Sequence, residues 1–243
     1  TVFFGSPDGR FVIDAVRFGA EESGVSIGLF PDGAPGWHEL AAATPGATNA
    51  VLHISDVVIN EIMYHPISGD DRDEFVELHN RSLTPADISG WRFEDGIEFA
   101  FPAGTVIAPG GCLAVARDVD RLRSRYPALD DQNAVGNYAG SLSDRGERLA
   151  LARPLDPRSP GNGWVQVDEV VYGDGDDWGR WADGGGSSLE LADPSSDNRL
   201  SMNWQGSDES RKSAGRWTSI AETCVLEGGN GAADELHVFL MGA

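Results

Sequence analysis

The sequence predicts an all-β sandwich, and three observations carry that expectation. The 31 glycines and 13 prolines do not gather in low-complexity tracts but recur between short apolar runs, the punctuation of many turns joining short strands. Between residues 57 and 172 there are about seven such runs at turn-separated spacing, the number a two-sheet sandwich needs. A strand of period 2 near the N-terminus is also echoed near residue 170. With 243 residues, 40% of them hydrophobic, the chain can fill one sizeable core or two small ones.

In chain order, the echo comes first. Residues 12–19, Val-Ile-Asp-Ala-Val-Arg-Phe-Gly, reappear at 166–173 as Gln-Val-Asp-Glu-Val-Val-Tyr-Gly. Asp14, Val16 and Phe18 match Asp168, Val170 and Tyr172, three residues on one face of a strand. A second landmark follows each copy, Gly28-Leu29-Phe30-Pro31-Asp32-Gly33 and Gly179-Arg180-Trp181-Ala182-Asp183-Gly184. The two stretches read as equivalent closing strands of tandem domains. Residues 44–49, Thr-Pro-Gly-Ala-Thr-Asn, read as an exit turn and linker, so residues 1–50 are expected to be the C-terminal remnant of a preceding repeat.

A complete domain is expected over residues 55–205, with strands at 57–64, 73–80, 88–93, 97–101, 112–116, 147–152 and 165–172. One stretch departs from the strand pattern. Val119, Leu122 and Tyr126 lie at i, i+3 and i+7, with Asp118 to cap the start and Pro127 to stop the end, which predicts one short helical crossover at the sandwich edge. Beyond it, residues 206–243 read as a linker and the truncated start of a further β domain, with Glu235-Leu236-His237-Val238-Phe239-Leu240-Met241 as a buried strand. Thr1 is not an initiator Met and the sequence stops within an apolar run, so a piece of a larger multidomain protein is expected. No apolar run approaches the roughly 20 residues of a membrane span.

Several motifs together resemble the lamin tail domain family. They are Val57-Val58-Ile59-Asn60-Glu61-Ile62-Met63-Tyr64-His65-Pro66, Asp73-Glu74-Phe75-Val76-Glu77-Leu78-His79-Asn80, and Ile88-Ser89-Gly90-Trp91-Arg92-Phe93. Phe101-Pro102-Ala103-Gly104-Thr105 leading to Pro109-Gly110-Gly111-Cys112-Leu113 follows, and then Ser141-Leu142-Ser143-Asp144-Arg145-Gly146-Glu147-Arg148-Leu149. The closing landmarks are Val167-Asp168-Glu169-Val170-Val171-Tyr172, Ser188-Leu189-Glu190-Leu191 and Asp197-Asn198. The resemblance implies an immunoglobulin-like β-sandwich. Cys112 departs from the large side chain the family pattern favours, and is expected simply to pack at a strand start.

Chemistry is weighed residue by residue. Glu61, Asp73, Glu74 and Glu77 sit in motif strands, and paired acids can hydrolyse or bind metal. Glu77 nevertheless alternates with Val76 and Leu78 and so points away from the core. Structural hydrogen bonding by Glu61 and Glu77 is the favoured reading. Calcium is the alternative for the acidic loops at residues 69–74 and 173–177, although neither has EF-hand spacing. The histidines His38, His53, His65, His79 and His237 show no metal-ligand spacing, and no nucleophile elbow or phosphate loop occurs. No cofactor is expected, and no catalytic, cofactor-binding or metal residue is assigned.

Net charge is −21, and no basic stripe is present to neutralise phosphates, so nucleic acid is not an expected partner. Cys112 and Cys224 fall in different segments and do not suggest a disulfide framework. Asn80-Arg81-Ser82 formally fits a glycosylation sequon. Trp164, Trp178, Trp181, Trp204 and Trp217 could form a sugar-stacking platform, but core or junction packing is the favoured reading. The resemblance implies a non-catalytic interaction and scaffolding module of a large, secreted or surface-attached bacterial protein. Its partners would be neighbouring domains of the same polypeptide and a protein or polysaccharide ligand. The competing readings are an accessory domain of a hydrolase or nuclease whose active site lies elsewhere, and a carbohydrate-binding module.

Overall fold

The computed structural model describes residues 1–18, 24–156, 163–175 and 177–208. The C-terminal strand expected at residues 235–241 lies outside the described residues. Two antiparallel hairpins come first, β1 (Val2–Gly5) with β2 (Val12–Val16) and β3 (Ser26–Leu29) with β4 (Trp37–Leu40). The sandwich then begins with β5 (Val57–Met63), β6 (Phe75–Asn80), β7 (Ala86–Asp87), β8 (Arg92–Asp95), β9 (Val106–Ile107) and β10 (Cys112–Ala116). A helix, α1 (Val119–Arg125), leads to β11 (Ala134–Gly136), and β12 (Arg148–Pro154), β13 (Trp164–Val171), β14 (Leu189–Leu191) and β15 (Trp204–Gly206) complete it.

One sheet has six strands in the order β11-β10-β6-β5-β14-β15, and the facing sheet has three, β13-β12-β8. β7 and β9 form a separate two-stranded ribbon. The core lies between the sheets. Ile59, Ile62, Val76, Leu78, Leu113 and Val115 come from one side, and Phe93, Leu149, Leu151 and Val170 from the other. Tyr64 and Tyr172 meet across the gap with ring centroids 5.1 Å apart. At roughly 1.5–3 kcal/mol for each large aliphatic or aromatic side chain removed from water, this layer is the dominant favourable term.

β5 is rich in β-branched residues, which suit a pleated and covered strand. Its register slips between Ile59 and Glu61, a bulge that lets Ile59 and Ile62 both face the core. The outer face of the six-stranded sheet is covered at one end by α1. Leu122 of that helix packs with Met63, Phe75, Ala114, Ala116 and Ala134, and the three alanines allow the close approach. The helix forms as its sequence predicts, because the Asp118 side chain accepts the Arg121 amide at 3.0 Å, and Pro127 follows the C-cap Tyr126. It joins β10 to its parallel neighbour β11 at the sheet edge.

Some elements differ from the sequence reading. Residues 97–101 form no strand; they make isolated bridges, Glu98 to Ala139 and Ala100 to Arg92, and scattered backbone hydrogen bonds with Gly90, Trp91 and Phe93. The strand expected at 88–93 begins at Arg92, because the Trp91 amide bonds Ile88 O and Gly90 takes φ 73°, a turn that ends extended pairing there. Trp91 is consequently only half-buried at the edge of the core, and tyrosines fill the space between the sheets. Gly146 is required by close approach: a Cβ there would stand 2.3 Å from Tyr172 O, and its φ is 89°.

Candidate functional site

Three buried or half-buried carboxylates organise the interior. Asp168, on β13, reaches across to the opening strand and accepts the Ile59 amide at 2.7 Å and Asn198 Nδ2 at 2.7 Å. Asn198 in turn donates to Ile59 O at 3.2 Å, and Trp204 Nε1 donates to Asn198 O at 2.7 Å. Burial pushes the Asp168 carboxyl up to about 7, against the lowering effect of those donors. This clasp ties the first strand of the domain to its last turn. Sequence reading placed Asp168 and Asn198 in motifs but gave neither a role, because the 30-residue separation conceals their contact.

Glu74 is the second. Tyr138 Oη donates to its Oε2 at 2.8 Å and the Leu142 amide at 3.0 Å, with Arg117 Nη1 3.5 Å away. Burial raises its pKa, and the Tyr138 phenol is pushed up by its own burial and by the Glu74 charge. Asp73, the third, is held bidentately by Arg121 at 2.6 and 2.8 Å, with Arg125 at 3.2 Å. The Arg121 bonds hold its carboxyl below the usual carboxylate range.

The rest of the acidic loop at 69–74 is similarly engaged. Arg72 binds Asp70, whose pKa it lowers, and Arg117 binds Asp71 at 3.2 Å. The arginines of α1 and of the chain before it supply counter-charge to this loop. In the second acidic loop Asp176 lies outside the described residues. Among the described residues no three His, Cys, Asp or Glu side chains converge as a metal site.

Glu61 and Glu77 do accept hydrogen bonds. Ser188 Oγ donates to Glu61 Oε1, and Asn60 Nδ2, from the β5 bulge, donates to Glu77 Oε1 at 3.0 Å. Register places Glu77, Glu61 and Glu190 opposite one another on β6, β5 and β14. Beside them Cys112 begins β10. It is exposed as a residue rather than packed as its apolar character suggested, with Sγ 3.3 Å from His79 Nδ1. Desolvation of the sulfur and then the Glu77 charge push the thiol pKa up.

The remaining candidates resolve individually. His65 Nδ1 pairs with Asp183 Oδ1 at 2.7 Å, fastening the start of the β5–β6 loop to the segment before β14. Asn80 is fully buried, donating to Thr84 O at 2.8 Å and Ile107 O at 3.0 Å, so the sequon asparagine is a structural staple closed to glycosylation. Trp204 is buried and Trp178 packs against it at 6.0 Å, while the Trp164 ring lies under Arg92 at 3.7 Å. His237 and Trp217 lie outside the described residues. A groove of ≈ 530 Å³ remains, between the N-terminal hairpins and β13, with Phe18, Trp37 and Trp164 among polar groups that include Glu94, Gln166 and Arg199.

Two facing sheets, with interior carboxylates bonded to backbone amides, a phenol or arginine, define an immunoglobulin-like sandwich whose acids maintain shape. The sequence model of the Lamin Tail Domain matches residues 52–199. That is more than half of the chain, and the chain belongs to the lamin tail domain family, a family of non-catalytic, immunoglobulin-like interaction modules. No curated protein matches it.

Proposed function

We propose that the chain is a non-catalytic interaction and scaffolding module of a large, secreted or surface-attached bacterial protein, holding neighbouring domains and a protein ligand in position. The observation that carries this reading is the state of the conspicuous acids. Glu74, Asp73 and Asp168 each accept at least two bonds within the fold. Hydrolysis needs a carboxylate poised beside a reacting group, whereas these are committed to structure. The test is assay of the full chain on esters, glycosides, phosphodiesters and peptides. Background rates are expected, and turnover abolished by Glu61→Gln or Glu77→Gln would overturn the reading.

A second reading, polysaccharide binding, is favoured by the groove carrying Trp37 and Trp164. Trp37 is 46% exposed and therefore free to stack on a sugar ring. Titration with a panel of polysaccharides should quench tryptophan fluorescence if this reading holds, and Trp37→Ala should remove the response. No quenching across the panel would leave the protein-ligand reading alone.

A further inference from the structure

The two hairpins β1–β2 and β12–β13 are the same structural unit, and only one of them is covered. In the first, Phe4 pairs with Asp14 and the next pair is Gly5 with Val12, which leaves Ile13 as a bulge. In the second, Leu151 pairs with Asp168 and the next pair is Ala152 with Gln166, which leaves Val167 as a bulge. The slip thus falls at the same distance from the same aspartate in both copies. A bulge is a specific backbone feature, and its recurrence at a matched residue goes beyond sequence likeness.

The segments downstream agree. The Ala47 amide bonds Thr44 O at 3.1 Å and the Ser196 amide bonds Asp193 O at 2.8 Å, closing turns that hold Pro45 and Pro194. Each turn is followed by an asparagine, Asn49 or Asn198. The strand before the turn then pairs antiparallel with the chain after it, Leu40 with Leu52 and Leu191 with Trp204.

What differs is burial. Leu149, Leu151 and Val170 are fully buried and Tyr172 is 2% exposed, because the opening strand and its sheet cover them. Of their counterparts, Val2, Phe4 and Phe18 are 56%, 65% and 46% exposed, and Val16, which matches Val170, is half-buried. Asp168 receives the Ile59 amide of the opening strand, while among the described residues Asp14 accepts the adjacent Ala15 amide, at 2.7 Å. A two-stranded hairpin bare on an apolar face is marginal in water.

We propose that residues 1–49 are a closing half-sandwich, and that their exposed β1–β2 face is a docking surface for a separate opening hairpin of the lamin-tail type. The incoming first strand places a backbone amide on Asp14 and covers Val2, Phe4 and Phe18, as β5 does for Asp168, Leu149, Leu151 and Tyr172. It takes the flank of β4 on which β3 lies, since the corresponding flank of β14 carries β5. β3 gives way there; in the complete domain the stretch that matches its end, from Arg180 to Ala182, stands outside the sheet as a 3-10 turn. This inference rests on the paired geometry and is independent of the ligand proposed above.

The test uses the full chain, labelled for amide hydrogen exchange, and a synthetic peptide of residues 55–82 as the probe opening hairpin. With excess peptide, exchange at residues 12–16 should slow by about tenfold or more. Asp14→Ala and Phe4→Ser should each remove that protection while leaving the central sandwich protected as before. No slowing at millimolar peptide, or equal slowing in Asp14→Ala, overturns the proposal. So does a concentration-dependent dimer of the chain alone that is lost in Phe4→Ser, because it assigns the face to a second copy.

Discussion

At the scale of single residues, the interior carboxylates set how stability follows pH. Asp168 has a folded-state pKa of about 7 against an ordinary 3.8, so the folded state binds the proton more tightly than the unfolded state. Its contribution is therefore complete below about pH 4 and is lost as pH rises toward 7. At about 1.4 kcal/mol per unit, the difference is on the order of 4 kcal/mol at most. Urea unfolding of the central domain should show stability declining over that window, and Asp168→Asn should flatten the decline. Asp73, whose pKa is lowered, acts in the opposite sense, stabilising above pH 4 and losing its effect as pH falls. The Glu74 site separates two kinds of loss. Glu74→Ala leaves the Tyr138 hydroxyl and Leu142 amide without their acceptor and should cost about 3 kcal/mol or more, since each buried orphan costs roughly 1–3. Tyr138→Phe removes one donor and leaves Glu74 its amide partner, so the loss should be about 1 kcal/mol in the same assay.

At the scale of elements, the helix and its cap were legible in the sequence because their causes are local. Asp118, the i, i+3, i+7 apolar stripe and Pro127 specify α1 without reference to the rest of the fold. Asp118→Ala should cost about 1 kcal/mol of domain stability by denaturant melt, the usual worth of an N-cap. The arginines of the same helix have partners that are not local. In the structure Arg121 and Arg125 meet Asp73, about 50 residues away, and Arg117, just before the cap, meets Asp71 and Glu74. That pairing depends on β10 lying beside β6, which no local pattern reveals. Strand ends show the same division. The extent of β10 follows from its composition, whereas residues 97–101 bond irregularly to two different neighbours, residues 90–93 and Ala139, which no local pattern reveals. Gly146→Ala tests such a non-local demand. Its methyl would meet Tyr172 O in a left-handed backbone, so the domain should lose more than the 1 kcal/mol or so of an ordinary glycine replacement.

At the scale of the whole molecule, the principal core draws, among the described residues, only on those from Val57 to Trp204. The central sandwich should accordingly melt alike with and without residues 1–49. Calorimetry of the full chain and of residues 50–243 checks this, and a loss of many degrees, beyond the few that about 1 kcal/mol produces in a domain of this size, would make the N-terminal segment integral. A net charge of −21 also opposes binding to phosphate backbones. Gel shifts with duplex DNA at physiological salt should show no complex at micromolar protein.

By itself the sequence determined the all-β class, the order of motifs, the capped helix and the family, because periodicity, turn residues and caps act over a few positions. It also exposed the echo between residues 12–19 and 166–173. Only the tertiary structure decided what the echoed aspartates do. Asp168 is half-buried and bonded to an opening strand more than 100 residues earlier, and Asp14 is left at the surface. Identical local signals specify identical hairpins, but burial belongs to whichever distant strand packs against them, and that is decided by the assembled sheets.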